Sequence, residues 1–306
     1  MDFALVPQYV VNAVTLGSFY ALLAIGYTMV YGIVKMINIA HGDLHMLGAF
    51  AGFGAVGLVS ALLLPGPAVL IWAVVVAMLA CAVVGMFIEA TIYRPIRTDR
   101  RSSTTAGPLI AAIGVSYVLQ NGAAVIWGPN RNAFPPLLPS NRFEIAGAQV
   151  GVTQLVVVAL APLAMLVLYL VVQRTRLGRA MRASSADPAV ARLMGIDVER
   201  VILITFGIAG AMAGLAGVLV AVYYGSFYVF MGLVAGFKAF TGAVLGGIGS
   251  VVGAMLGGYL LGGLEVLGTA IFPAEWKDVF AFIALILLLT VRPTGIVRDA
   301  SASARV

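Results

Sequence analysis

Four ionisable side chains interrupt long apolar runs of this sequence, and each could serve in binding, ion coupling or a structural ion pair. They are Asp43, Glu89, Lys238 and Glu265. A charge held deep in an apolar environment is costly unless it is paired or hydrated. Lys238 and Glu265 are one predicted helix apart, so we expect them to pair, either as a structural ion pair or on a polar path. Glu89 lies one turn before Arg94, and we expect its carboxylate to reach water at the end of its segment.

A second polar cluster, made of Asn38, His41, Asp43 and His45, opens one of the apolar runs. Two histidines and one carboxylate are too sparse a set for a zinc site, so no metal is expected. The cluster could instead satisfy the free N–H and C=O groups of a broken helix. Its alternative role is to line a translocation path, for which the candidates are Asn38, His41, Asp43, Lys238 and Glu265.

Motifs of nucleotide-binding and hydrolytic sites are absent from the sequence. No Gly-Lys-Ser/Thr occurs, since the three lysines are Lys35, Lys238 and Lys277, and neither HExxH nor GxSxG occurs. The segment GGIGSVVG resembles a dinucleotide-binding loop only superficially, because Val252 stands where the last glycine of GxGxxG is needed. We therefore predict that the chain is not an enzyme, hydrolyses no ATP and binds no cofactor.

The composition excludes a soluble globular protein. Of 306 residues, 62% are hydrophobic and 10% are charged, against about half and about a quarter in an ordinary soluble domain. The mean hydropathy is +1.07, and the 36 glycines indicate closely packed membrane helices. Although the net charge of +6 could suit nucleic acid in a soluble protein, we expect membrane lipid around this chain and no nucleic-acid partner.

Hydropathy predicts an all-α polytopic membrane protein with eight to nine transmembrane segments. Apolar runs occur at about 9–34, 39–64, 66–92, 107–127, 152–172, 201–224, 229–268 and 278–291. The connections between them are too short for a further domain. We therefore interpret residues 1–306 as one transmembrane domain with a basic loop at about 174–200.

The distribution of positive charge predicts the orientation. If the loops at 94–101 and 174–200, the turn at Lys35 and the C-terminal tail all face the cytoplasm, fourteen of the eighteen lysines and arginines lie on that side. They are Lys35, Arg94, Arg97, Arg100, Arg101, Arg174, Arg176, Arg179, Arg182, Arg192, Arg200, Arg292, Arg298 and Arg305. This places the N-terminus outside and the C-terminus in the cytoplasm, which requires nine crossings. The forty-residue run at 229–268 must then be two elements, broken near 246–250.

Glycines and polar residues suggest discontinuous helices and an inverted repeat. The stretch 38–43 would suit a helix break, like the one at 246–250, and the segment from Asn38 pairs weakly with GFKAFTGAVLGGIGS at 236–250. Broken segments at corresponding places in two halves are typical of transport pathways. Gly249, Gly253 and Gly257 recur at every fourth position, so we interpret them as a helix-packing face.

The basic loop contains a short predicted helix. Asp187 and Pro188 are suited to its N-cap and first turn, and Gly195 ends it. Its residues Ala191, Leu193 and Met194, beside Arg192, could form a docking surface for a soluble partner. The alternative is an ordinary cytoplasmic loop whose arginines extend along the membrane surface.

Four stretches together resemble one protein family. GSFYALLAIGYTMVYGIVKMINIAHGDLHMLGAF at 17–50 is similar to the N-terminal pattern of branched-chain amino acid ABC transporter permeases, the H-type subunit of the Liv system. LGRAMRASSADPAVARLMGI at 177–196, GFKAFTGAVLGGIGSVVGAMLGGYLLGGLE at 236–265 and VRPTGI at 291–296 follow in the same order. The resemblance covers nearly the whole chain.

The resemblance implies a pore subunit of the bacterial inner membrane. Its partners would be a second, related permease, two cytoplasmic ABC ATPases that hydrolyse ATP, and a periplasmic solute-binding protein. The basic loop would couple this subunit to the ATPases through Gly178, Arg179, Arg182, Asp187, Ala191, Arg192 and Gly195. Branched-chain amino acids are the substrates that the family implies. Urea or short amides in the same family, or an ion-coupled secondary transporter, are the alternatives.

Overall fold

The computed structural model of the chain describes residues 5–36, 38–60, 64–98, 106–292 and 295–297. Its helices are α1 (Val6–Val34), α2 (His41–Val59), α3 (Gly66–Ile88), α4 (Arg94–Thr98), α5 (Ala106–Trp127), α6 (Val152–Arg174), α7 (Arg176–Ala186), α8 (Pro188–Leu193), α9 (Val198–Tyr224), α10 (Met231–Gly246), α11 (Val251–Ile271) and α12 (Lys277–Val291). A π-helical turn, Glu89–Tyr93, joins α3 to α4. Arg100, Arg101, Arg298, Arg305 and the residues 293–294 of VRPTGI lie outside the described residues.

The chain is a polytopic helical membrane protein. Within the described residues, seven helices are long and apolar enough to cross a bilayer. They are Val6–Val34, His41–Val59, Gly66–Arg97, Gly107–Trp127, Val152–Arg174, Val198–Tyr224 and Val251–Ile271. Helix α10 is also apolar but has only 16 residues.

The predicted break near 246–250 is confirmed, because α10 ends at Gly246 and α11 begins at Val251. Between them the backbone adopts positive φ, 106° at Gly247 and 104° at Gly249, which is accessible to glycine without steric cost. Ser250 then caps α11 by accepting a hydrogen bond of 3.0 Å from the amide of Gly253. The assignment of Gly249 to a helix-packing face is therefore wrong, since its four-residue spacing runs out of the helix into this turn.

The other two glycines of that series lie where α11 crosses α10. Gly253 lies against Gly246, and Gly257 lies against Gly246 and Gly242. A side chain at either position of α11 would collide with the backbone of α10. The absence of side chains thus lets two helices of the bundle touch backbone to backbone.

Helices α1 and α9 form the centre of the bundle and are almost completely buried along most of their length. Helix α11 packs along α1, where Gly262 lies against Gly17. Helix α3 packs along α9 in the same manner, with Gly210 against the backbone of Cys81. These glycine contacts position the two central helices, which carry Tyr20, Tyr27 and Glu199 among the residues discussed below.

A non-helical connection separates α1 from α2, and α2 is helical from His41, so only the first half of the break predicted at 38–43 lies outside a helix. Helix α1 ends with Lys35 in the left-handed conformation, at φ 57°, and its amide donates to the carbonyl of Tyr31 over 2.8 Å. Helix α2 begins only at His41. In this connection Asn38 and Ala40 are buried, so their polar groups need partners inside the protein.

Two small sheets depart from the predicted all-α class. Strands β2 (Arg142–Ile145) and β3 (Ala148–Gly151) form an antiparallel hairpin, with Arg142 opposite Gly151. Its turn has positive φ at both central residues, 52° at Ala146 and 84° at Gly147, the backbone of a tight hairpin turn. Strands β1 (Asn132–Ala133) and β4 (Ser226–Phe227) pair antiparallel. Four-residue strands in a polar, proline-rich connection give too short a pattern to predict from sequence.

The bundle has two distinct ends, which we name by their contents. The basic end carries α7 and α8, and there Ser185 Oγ donates to the carbonyl of Gly32 over 2.5 Å. The hairpin end carries β2 and β3, where the amide of Gln149 donates to Gln8 Oε1 over 2.9 Å. Helix α1 therefore runs from the hairpin end to the basic end.

The predicted short helix of the basic loop is confirmed as α8. Asp187 Oδ1 accepts from the amides of Ala189 and Val190, at 2.8 and 3.1 Å. Gly195 follows the helix at φ 80°, a conformation that favours glycine. Asp187 and Gly195 thus set the two limits of α8, as the sequence indicated.

Candidate functional site

The polar residues at the break between α1 and α2 are held inside the protein. Asn38 Oδ1 accepts a 2.7 Å hydrogen bond from the hydroxyl of Tyr93, in the π-helical turn. Asp43 Oδ1 accepts from Gln120 Nε2 over 2.9 Å. Both Asn38 and Asp43 are buried. Both partners are side chains, and no side chain caps the start of α2, so the interpretation that the cluster satisfies the backbone groups of a broken helix stays a prediction.

His41 belongs to a cluster of three aromatic rings from α1, α2 and α10. Its ring meets the ring of Tyr27 edge-on, with centroids 4.8 Å apart, and Tyr27 also contacts Phe240 at 6.1 Å. We call Tyr27, His41 and Phe240 the aromatic plug. Toward the basic end, the space between Tyr27, Phe240 and their neighbours is only about 10 Å³, too small for a solute.

A cavity of about 410 Å³ lies on the hairpin side of the plug, and we call it the vestibule. Its walls are formed by α1, α2, α9 and α10 together with the loops of that end. They comprise Leu16, Phe19, Tyr20, Leu23, His45, Arg131, Val220, Tyr224, Ser226, Tyr228, Met231, Val234, Ala235, Lys238 and Lys277. A cavity of this size that combines apolar walls with several polar groups is typical of small-molecule sites.

Of the five predicted path residues, Lys238 alone lies in the described vestibule wall. Glu265 is directly behind it, and the structure does not bring Asn38, His41 or Asp43 to the vestibule wall. The prediction for these residues rested on their polarity and their adjacency in the chain. In the structure Asn38 and Asp43 have the side chains of Tyr93 and Gln120 as partners rather than a cavity.

The expected ion pair between Lys238 and Glu265 is present, with Lys238 Nζ 2.9 Å from Glu265 Oε1. Tyr20 completes the group, because its hydroxyl donates to Glu265 Oε2 over 2.7 Å. Asp278 of α12 lies 2.6 Å from Lys238 Nζ. The two charges of the pair are nearly inaccessible, at 4% and 3% exposure for Lys238 and Glu265, so their mutual contact and Tyr20 replace hydration.

Several vestibule residues were not predicted. Tyr20, Arg131 and Lys277 are absent from the residues that the sequence predicts for the path. In the structure Arg131 lies over the ring of Tyr228, 4.6 Å from its centroid, and Lys277 lines the same cavity. The sequence signal, isolated cations in loops next to aromatic residues, is too common to have singled them out.

The exposed surface of the basic end is centred on α8. Val190, Leu193 and Met194 are 53%, 87% and 77% exposed, which is unusual for apolar side chains beside arginines. Ala191 is 3% exposed and packs into the bundle, so its prediction as part of the docking surface is wrong. A six-residue helix is too short for sequence periodicity to show which face is buried.

Of the other residues assigned to this loop, some are exposed and others hold α6 and α7 together. Arg179 and Arg192 are exposed. Gly178 is buried with its Cα against the carbonyl of Val172, and its amide donates to Thr175 Oγ1 over 3.1 Å. Arg182 donates to the carbonyl of Val172. Gly178 and Arg182 therefore fix the angle between α6 and α7 and orient the surface that follows.

Glu89 does not extend to water, contrary to the prediction. It is completely buried in the π-helical turn and pairs with Arg97, whose Nη2 is 2.8 Å from Glu89 Oε1. The same Nη2 lies 2.5 Å from Glu199 Oε2, and Glu199 Oε1 is 3.0 Å from Arg192 Nη2. The prediction failed because α3 continues through the π-helical turn into α4, so the guanidinium of Arg97 lies near Glu89.

Across the described ranges, no group of three or more His, Cys, Asp or Glu side chains is arranged to hold a metal ion.

Comparison with known proteins identifies the family. The sequence profile of the family described as branched-chain amino acid transport system / permease component matches residues 9–289. The chain belongs to this permease family. The high-affinity branched-chain amino acid transport system permease protein BraD of Pseudomonas aeruginosa is 43% identical to it over 294 residues, covering 94% of both chains. The corresponding LivH of Escherichia coli is 44% identical over 298 residues, again covering 94% of both.

A more distant relative of the permease also spans its length. The probable branched-chain amino acid transport permease protein LivH of Methanocaldococcus jannaschii is 26% identical over 304 residues, 93% of this chain and 90% of its own. A solved structure, PsaBC from Streptococcus pneumoniae in complex with Fab, covers 96% of the permease at 11% identity with a TM-score of 0.44. The named relatives from Pseudomonas, Escherichia and Methanocaldococcus are transport permeases, and the resemblance stated from the sequence is confirmed.

Proposed function

We propose that this permease is the membrane-spanning pore subunit of an ATP-driven importer for branched-chain amino acids. The observation that carries the proposal is the match to BraD and LivH over 94% of the chain. The vestibule, which ends at the aromatic plug, supports a path that opens to one side at a time. ATP is hydrolysed by partner subunits, and this chain binds no cofactor.

The basic end faces the cytoplasm of a bacterial inner membrane in this proposal, and the hairpin end faces outward. The support is the concentration of arginines around α4, α7 and α8, which the positive-inside rule assigns to the cytoplasm. Counting α10 and α12 with the seven longer spans gives nine crossings. The N-terminus is then external and the C-terminus cytoplasmic, and residues 1–306 form one permease domain.

An inverted repeat would relate α1, α2 and α3 to α9, α10 and α11. Two long central helices each end in a left-handed residue, Lys35 at φ 57° and Gly225 at φ 64°. Each is followed by a connection of six residues, 35–40 and 225–230, and then by a shorter helix. These shorter helices meet near their first turns, where Gly42 lies against Gly236. The break that corresponds to 35–40 is then 225–230 rather than 246–250.

The vestibule would admit a zwitterionic solute with an apolar side chain. Arg131 and Lys277 provide positive charge for a carboxylate, and Leu16, Phe19 and Val220 provide an apolar wall. Lys238 offers less net charge, because Glu265 and Asp278 surround it. A pocket with a few cations and an apolar wall would suit the branched-chain amino acids for which the relatives are named.

Four kinds of partner complete the proposed importer. Of two cytoplasmic ABC ATPases, one docks on the exposed apolar residues of α8 and the other on the second permease, and a periplasmic solute-binding protein docks on the sheet β2–β3. A second, related permease completes the path. Membrane lipid covers the remaining apolar exterior, and no nucleic acid takes part.

The vestibule assignment predicts that Ala235→Trp reduces import to background, since a large ring at this wall position fills the cavity. Leu233→Trp, two residues away on the exposed side of α10, should leave import intact. Uptake of labelled leucine by cells expressing each variant at equal level measures the difference. Unchanged uptake in Ala235→Trp would remove the vestibule from the path.

The docking assignment predicts that Leu193→Glu strongly reduces recovery of the ATPases with the purified permease. The side chain is 87% exposed, so the change alters a contact surface and leaves the fold intact. Ile145→Glu is the matched control, because Ile145 is also an exposed apolar residue but lies on the hairpin. Equal ATPase recovery from both variants would show that docking occurs elsewhere.

A further inference from the structure

We propose that a chain of contacts from Arg192 to Asn38 transmits ATPase movement at α8 to the aromatic plug. The contacts are Arg192–Glu199, Glu199–Arg97, Arg97–Glu89 and Tyr93–Asn38. We call this chain the relay. It rests on the proposed function, because it assigns a mechanical task to an importer's ATPase-facing surface.

The first half of the relay joins the docking helix to the membrane interior. Arg192, on the exposed side of α8, contacts Glu199 in the first turn of α9 at 3.0 Å. Glu199 also contacts Arg97 of α4 at 2.5 Å, and Arg97 contacts the completely buried Glu89 at 2.8 Å. Exposure falls along the chain, from 58% for the Arg192 side chain to 27% for Glu199, 21% for Arg97 and 0% for Glu89. Charged contacts become stronger with this burial, so movement at the surface reaches Glu89 through progressively firmer links.

The buried end of the ion-pair network has unused hydrogen-bonding capacity. Neither Glu89 Oε2 nor Arg97 Nη1 finds a hydrogen-bond partner among the described residues, although both atoms are buried. Buried polar atoms normally have partners. A second arrangement of the same two side chains, in which these atoms pair, is therefore available to the network.

The second half of the relay runs through the π-helical turn Glu89–Tyr93. A π-helical turn is rare and often lies at functional sites, because its wider hydrogen-bond ring can relax to α-helix. Relaxation by one residue would rotate the side chains beyond it by about 100°. Tyr93 lies at the end of the turn, so its hydroxyl would leave Asn38 Oδ1, which it now contacts at 2.7 Å.

Asn38 connects this turn to the plug. Its carbonyl accepts a 3.1 Å hydrogen bond from the amide of His41, at the start of α2. His41 in turn contacts Tyr27 with ring centroids 4.8 Å apart. Displacement of Asn38 would therefore move a member of the plug and open the path between the vestibule and the basic end.

The test measures solute imported per ATP hydrolysed, in proteoliposomes containing the complete importer. Glu199→Gln breaks the relay at its surface half, and Tyr93→Phe removes only the hydroxyl that reaches Asn38. Arg192→Gln breaks the exposed first link and carries little risk to folding. Glu275→Gln, a change of an exposed acid in the connection between α11 and α12, is the matched control.

Each relay variant should lower the import per ATP about tenfold while ATP hydrolysis continues, within the range of about 5- to 150-fold usual for coupling between sites. The double variant Glu199→Gln/Tyr93→Phe should be no worse than either single variant, because both break one chain. Three results would each overturn the relay. The first is a wild-type import per ATP in both Arg192→Gln and Tyr93→Phe. The others are a parallel fall of import and ATP hydrolysis, and additive losses in the double variant. Absence of ATP-dependent import by the wild-type chain would instead overturn the proposed function.

Discussion

Glu265→Ala is expected to destabilise the permease by about 3 kcal/mol, in the range of breaking a buried ion pair. The reason is that Lys238 is only 4% exposed and would lose the carboxylate 2.9 Å away, keeping Asp278 as its remaining partner. Tyr20 would also lose its acceptor. The measurement is the apparent melting temperature of the purified protein in detergent, together with the fraction that stays monodisperse.

Two further variants show whether the loss comes from the unpaired charge. Glu275→Ala removes an exposed acid near α12 and should melt as the wild type does. Lys238→Met combined with Glu265→Leu removes both charges and should recover most of the stability. A wild-type melting temperature for Glu265→Ala would contradict the structural importance of the pair. If the double variant regains its stability but does not import, the pair is also required on the transport path.

Gly257→Leu is expected to prevent correct assembly of the helix bundle. A Cβ atom at this position would lie 2.8 Å from the Cα of Gly246, and it would also collide with the carbonyl of Gly242. Because both contacts are with backbone, no rotamer change relieves them, and α10 and α11 must separate. Such overpacking costs about 1–3 kcal/mol or more in a well-packed core, so we expect little folded protein after extraction.

The same helix supplies the control, because Gly263 has open space where a Cβ atom would lie. Gly263→Leu makes the same chemical change six residues further along α11 and should yield folded protein. The comparison is made by size-exclusion chromatography of equal membrane amounts. Comparable recovery of both variants would show that the close approach of α10 and α11 is not required.

Local signals in the sequence predicted the elements that local chemistry determines. Asp187 and Gly195 delimited α8, since capping residues and positive φ act within a few positions. The break at 246–250 followed from the length of an apolar run together with the charge balance. The pair of Lys238 and Glu265 followed from the cost of leaving either charge alone in an apolar run.

Contacts between distant residues could not be predicted in this way. The hydroxyl of Tyr20 reaches Glu265 across 245 positions, and Arg97 reaches Glu199 across 102. Nothing in the spacing of these residues marks such contacts, which depend on how the helices cross. The same limit explains why Asn38 and Asp43 were candidates for the path: polarity shows that a buried group needs a partner, but it does not show whether the partner is a solute or another side chain.

The most direct test of the central claim is solute uptake by this permease in proteoliposomes, purified with the proteins encoded beside its gene. Uptake of labelled leucine is expected to require enclosed ATP and a solute-binding protein, and to persist when the proton gradient is dissipated. Uptake by the permease alone, independent of ATP and lost with the proton gradient, would instead show that the permease is a secondary transporter.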